Sequence, residues 1–186
     1  MTLQHLLVPV DFSGETPAAV SAAVELAGKF SARLTLLHVV EPVLLPTGDF
    51  YLAGDMAAMT AAYSENLVEA ARQELNALVA KTPAGVPVDI AIKVGIPWHC
   101  IVDFAAEYPI DLVVMSTHGR SGLKHLWLGS VAERVVQHAP CPVLVVRPRT
   151  GGGPALSRPI HSTATNPNPK SKIKYYERDY ALESPT

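Results

Sequence analysis

The chain has 186 residues, 48% of them hydrophobic, and a formal net charge of −2. That length holds one domain with a full hydrophobic core, and the apolar content argues against a disordered chain. The charge leaves no overall nucleic-acid footprint. It is split unevenly: from Gly151 onward there are five Lys/Arg and three Asp/Glu, so the tail carries +2 and the rest −4.

The first element is a nearly all-apolar strand, His5 to Val10. Such runs suit a parallel sheet covered on both faces. Asp11 to Glu15 is a turn, and Thr16 is placed to cap a helix with Pro17 at its first position; the helix runs to about Phe30. Arg33 to Val40 is a second buried strand. Glu41 to Gly54 is a long Pro/Gly-bearing excursion. A long helix follows, roughly Asp55 to Lys81, with Leu67, Ala71, Leu75 and Leu78 at helical spacing. After a break at Pro83 to Pro87, Val88 to Val94 alternates like a strand near a sheet edge. Gly95-Ile96-Pro97 starts a helix ending near Tyr108-Pro109, Ile110 to Met115 is the fourth strand, and Pro142 to Arg147 is the fifth. Strands separated by helices imply an α/β fold with a parallel sheet, each crossover right-handed. The domain spans 1–149.

From about Thr150 the composition changes. Thr150-Gly151-Gly152-Gly153-Pro154 is a breaker cluster, and residues 150–186 read as an unstructured tail. Within it, Ile173-Lys174-Tyr175-Tyr176 is a candidate docking segment for a protein partner. Two cysteines, Cys100 and Cys141, make no disulfide framework and no metal-ligand spacing. With no signal-peptide pattern at the first residues and no uncharged run of about 18 residues, the expectation is a cytoplasmic protein without a membrane span or nucleic-acid partner.

The segment Met115-Ser116-Thr117-His118-Gly119 through Gly129-Ser130 leaves a strand and runs into a helix start. Loops of this kind hold phosphates, because free N–H groups point outward and the helix dipole favours negative charge. Gly119 and Gly129 would let the backbone approach a phosphate without a Cβ in the way. Arg120 and Lys124 could neutralise phosphate charge or simply be solvated. Ser130-Val131-Ala132-Glu133 also reads as a capping box, which is compatible with phosphate contact through other N–H groups. His118 has no nucleophile motif or second histidine at useful spacing, so a structural or ligand-lining role is favoured over a catalytic base. His99 and His125 lack metal-site spacing.

Four segments together resemble the universal stress protein family over about Leu3 to Arg147: Val8-Pro9-Val10-Asp11-Phe12-Ser13, Gly95-Ile96-Pro97, Gly119 with nine residues before Gly129-Ser130, and Pro140-Cys141-Pro142-Val143-Leu144-Val145-Val146. The family's nucleotide signature begins with a glycine where this chain has Ser116. The resemblance implies a Rossmann-like open sheet in the order 3-2-1-4-5, with helices on both faces. Strands one and four are then neighbours, and Asp11 and Ser116 to Gly119 face one crevice. It implies that Pro9, Val10, Asp11 and Val39 line the adenine and ribose pocket, with Met115, Ser116, Thr117, His118, Gly119 and Arg120 along the loop. It places Gly129, Ser130 and Val131 on the phosphates. Asp11 also has a plain reading as a turn or capping residue.

The implied ligand is ATP or AMP, with Mg²⁺ as companion ion, and the implied assembly is a homodimer through the last strand. There is no Walker lysine motif and no acidic metal site beyond Asp11, so at most slow ATP hydrolysis is expected. The alternative is a dimeric interaction module in which Ser116 has abolished nucleotide binding. An ATP pyrophosphatase or nucleotidyl transferase is disfavoured, because Asp11-Phe12-Ser13-Gly14-Glu15 matches neither SGGxDS nor HxGH.

Overall fold

Side-chain alternation along the strands builds the molecule in layers. In the computed structural model, which describes residues 2–42, 53–83, 85–117, 128–147 and 175–176, successive strand residues point to opposite faces of one parallel sheet. In β1 (His5–Val10), Leu6, Val8 and Val10 pack on one side with α1 (Thr16–Phe30) and α2 (Ala53–Ala80), while Leu7 packs on the other with α3 (Pro97–Glu107) and α4 (Ser130–His138). In β2 (Arg33–Val40), Leu34 and Leu36 join the first cluster and Leu37 the second. Each of these leucines is fully enclosed, and burying such a side chain contributes roughly 1.5–3 kcal/mol. The expected near-continuous apolar strands therefore arise because both faces are covered.

The remaining strands are β3 (Val88–Val94), β4 (Leu112–Ser116), β5 (Val143–Val146) and a two-residue β6 (Tyr175–Tyr176). The sheet order is β5-β4-β1-β2-β3-β6, parallel throughout. The five main strands thus stand in the expected order 3-2-1-4-5. Tyr175–Tyr176, from the segment expected to be unstructured, pairs with the outer edge of β3. The rest of the tail, residues 43–52 of the excursion, and His118, Gly119, Arg120, Gly122, Lys124, His125 and Trp127 lie outside the described residues.

Small residues set how closely α1 can approach the sheet. Ala19, Ala23 and Ala27 lie at four-residue spacing and are buried against β1 and β2. The helix ends at Ser31, whose φ of 54° is left-handed. Along α2, Ala71 and Leu75 are buried as their spacing predicts.

Element ends differ from expectation where side chains compete with the regular pattern. Thr16 is the first residue inside α1 rather than its cap; Glu15 is the flanking residue and makes no side-chain cap bond. The Thr16 hydroxyl instead donates to Asp11 Oδ1 at 2.9 Å. Ser130 is likewise inside α4, after Gly129, and no side-chain cap bond forms, so the capping box is absent. β4 begins at Leu112 rather than Ile110. The Ile110 N–H bonds the Tyr108 carbonyl at 2.7 Å in a turn, and the Asp111 carboxylate accepts the N–H groups of Gln4 and His5 at 2.7 and 2.9 Å.

Candidate functional site

The carboxyl ends of β1 and β4 are adjacent, because the order along the sheet reverses direction of growth between them. Ligands in open α/β sheets bind outside that point. Three structures converge there: the β1–α1 loop, the end of β4 and the start of α4. The Gly129 N–H donates to the Thr117 carbonyl at 2.7 Å, which fixes the start of α4 against the end of β4. The Thr117 hydroxyl donates to the Glu15 carboxylate at 3.2 Å, linking β4 to the β1–α1 loop across 102 residues of sequence. The Thr117 N–H bonds the Val146 carbonyl at 3.2 Å, so β5 steadies the same point.

In α4 the first intrahelical bond runs from the Glu133 N–H to the Gly129 carbonyl at 2.9 Å. The N–H groups of Ser130, Val131 and Ala132 precede that bond, and the flanking residue Gly129 supplies no side-chain cap. They form a donor cluster at the positive end of a helix dipole, suited to an anion.

The β1–α1 loop is shaped by Asp11 and Phe12. Asp11 Oδ1 accepts the Ser13 N–H at 3.0 Å and the Thr16 hydroxyl at 2.9 Å, so the turn role read from sequence is realised. Phe12 has φ of 58°, in the left-handed region, where a non-glycine residue carries about 1–2 kcal/mol of strain. Its ring lies 4.4 Å from that of His38, tilted by 34°. The His38 Nδ1–H donates to the Val10 carbonyl at 2.6 Å. Since a carbonyl only accepts, this bond fixes the proton on Nδ1. The strained turn is therefore braced from β2.

Ten of the thirteen residues assigned from sequence are described, and all ten lie at or near the carboxyl edge of the sheet or at the start of α4. Their environments differ. Val10 and Met115 are buried core residues, so only their backbone can face a ligand. Val39 is half-buried against the cluster shared with α3 and α4. Pro9, Asp11, Ser116, Gly129 and Val131 are half-buried, and Ser130 is exposed.

Glu15, Phe12 and His38 belong to the same edge and were not singled out from sequence. A signal existed for His38, a polar ring in an otherwise apolar strand run. For Glu15 there was none, because its link to Thr117 is purely tertiary.

Outside this edge, Cys100 is buried, and burial pushes the half-buried Cys141 thiol above its ordinary value. His99 pairs with Asp103 at 3.0 Å on the exposed side of α3. Half-buried Trp98 packs against the α3/α4-side cluster, with the Arg134 guanidinium 5.4 Å from its ring centroid. Among the described residues no group of three or more His, Cys, Asp or Glu could hold a metal ion, and no helix is long and apolar enough to cross a membrane.

Comparison with known proteins places these features in context. The sequence model of the Universal stress protein family matches residues 2–147. A universal stress protein of Methanocaldococcus jannaschii is 34% identical over 145 residues, covering 77% of this chain and 82% of the relative. The solved UspA of Lactobacillus plantarum is 34% identical with a TM-score of 0.63, covering 79% of this chain and 99% of that one. A universal stress protein solved in complex with cAMP shares the fold at 24% identity and a TM-score of 0.50, covering 79% of this chain and 98% of that one.

Proposed function

The chain belongs to the universal stress protein family, and on that premise we propose that it is an adenine-nucleotide-binding regulatory protein of the stress response. It acts as a homodimer, with at most slow hydrolysis of ATP. The observation that carries this reading is the convergence at Thr117, where the start of α4 and the β1–α1 loop are tied to one strand end. An anion seated at the uncapped N–H groups of Ser130 and Val131 would lie beside the crevice between β1 and β4.

The base and ribose would sit against Pro9, the Val10 backbone, Asp11 and Val39. The backbone of Met115, with Ser116 and Thr117, would form the opposite wall, and the family resemblance assigns His118, Gly119 and Arg120 to the nucleotide as well. ATP or AMP fits this division between an apolar wall and a donor cluster. With ATP, Mg²⁺ would be carried chiefly by the phosphates. Asp11 and Glu15 are the described carboxylates on that side. The sequence carries no Walker lysine motif, which is why turnover is expected to be slow.

The homodimer reading rests on β5. It is an edge strand of four aliphatic residues, with Leu144 exposed. Such an edge favours pairing with a second copy. The second functional reading, a dimeric module without nucleotide, rests on Ser116, which puts a side chain where the family signature has glycine.

Isothermal titration of the nucleotide-stripped protein with ATP and AMP in Mg²⁺ separates the two readings. Mass spectrometry of whatever co-purifies should come first. Micromolar binding, about 8 kcal/mol, is the expected result. Absence of heat together with absence of co-purified nucleotide would favour the interaction module.

A further inference from the structure

We propose that the outer edge of β3 is a strand-acceptor site, held in cis by the tail at Tyr175–Tyr176 as a displaceable strap, and suited to extended peptides of the same kind. β2 pairs with β3 along its whole length, residues 34–40 against 88–94, and among the described residues β6 pairs with the opposite edge of β3 through Ile90↔Tyr175 and Ala91↔Tyr176.

Backbone alternation identifies which groups of β3 face that edge. The Leu34 N–H bonds the Pro87 carbonyl and the Gly95 N–H bonds the Val40 carbonyl, both at 2.9 Å. Odd-numbered positions of β3 therefore direct their backbone groups to β2, and Val88, Ile90 and Ile92 direct theirs outward. The register leaves the Tyr176 N–H opposite the Ile90 carbonyl. An edge carrying outward donors and acceptors is a template for another strand unless something covers it. Here the covering segment is part of the chain itself.

The sequence around the strap fits that role. Ile173, Tyr175 and Tyr176 are strand-favouring residues in a tail otherwise rich in Ser, Asn and Pro. Pro167 and Pro169 precede them, and Lys172, Lys174, Glu177, Arg178 and Asp179 flank them, a charge-rich setting that discourages aggregation. Length is no obstacle. β5 lies four strands from β3, about 19 Å at ~4.8 Å per strand. Residues 147–174 could span several times that distance, at about 3.3 Å per residue. A strap tethered to the same chain competes at a high effective concentration, so a free peptide must reach high concentration to displace it. The mode is β-augmentation, in which main-chain hydrogen bonds supply the attraction.

Residue-resolved hydrogen exchange on the full chain tests this, comparing it with Tyr176→Pro, which removes the donor facing Ile90. The Ile90 amide should exchange at least tenfold faster in the variant, with Ala91, which faces β2, unchanged. A synthetic peptide of residues 171–180 at millimolar concentration should restore Ile90 protection in the variant. Equal Ile90 exchange in the two proteins would overturn the strap. Loss of protection that the peptide does not restore would overturn the acceptor site. Parallel loss at Ala91 would show that the tail supports the whole sheet instead.

Discussion

Lowering the pH should cost this fold stability through one buried histidine. His5 is 2% exposed, and its Nε2 lies 2.7 Å from the Thr35 hydroxyl between β1 and β2. Burial first, and the neighbouring Arg33 second, push its pKa from 6.5 down to about 4, against an opposing pull from Asp111. The sign follows from which state binds the proton. Above pH 6.5 His5 is neutral in both states and contributes no slope. Between 6.5 and 4 the unfolded chain takes up a proton that the folded chain refuses, so stability falls as pH falls; below 4 the loss is complete.

At about 1.36 kcal/mol per pKa unit the whole shift corresponds to roughly 3 kcal/mol. Interior sites respond as a medium of effective permittivity near ~20, because the surroundings relax around a new charge, so about 1.5 kcal/mol is the expected loss. Urea unfolding at pH 7.5 and 4.5 measures it, with His5→Gln as the reference because glutamine still offers an amide toward Thr35. Wild type should lose about 1.5 kcal/mol more than the variant over that interval. An equal loss in both proteins would refute the assignment to His5.

Gly129→Val should abolish nucleotide binding by titration while leaving the melting temperature within about 3 °C, since φ of −71° and ψ of 154° at that position suit any residue. Retained affinity in the folded variant would count decisively against the proposed phosphate contact. Asp111→Ala removes the acceptor for two N–H groups at the start of β1. With charge-assisted bonds at about 1.5–3 kcal/mol each, discounted for the exposed Gln4, a loss of about 2–3 kcal/mol is expected. Thermal unfolding should then shift down by about 5–10 °C. A shift under about 2 °C would show that water replaces the carboxylate at little cost.

Most of the fold was legible in the sequence because its signals are local and repeated. Apolar runs of strand length, separated by helical periodicity, gave β1 and β2 at their observed ends and α1 at its observed C-terminal end, since a strand covered on both faces admits few polar residues. The family motifs carried the strand order. Local rules failed at Thr16 and Ser130, both good caps by type. The Thr16 hydroxyl was taken by Asp11, and α4 begins one residue earlier than a serine cap requires.

What only the tertiary structure decided are the links between segments distant in sequence. Glu15 meets Thr117 across 102 residues, Asp111 reaches back to Gln4 and His5, and His38 braces the turn at Phe12. No window along the chain contains both partners of any such bond. The pairing of Tyr175–Tyr176 with β3 is of the same kind. Composition marks that segment as tail, and it becomes a strand only because a sheet edge with outward N–H and C=O groups is there to receive it.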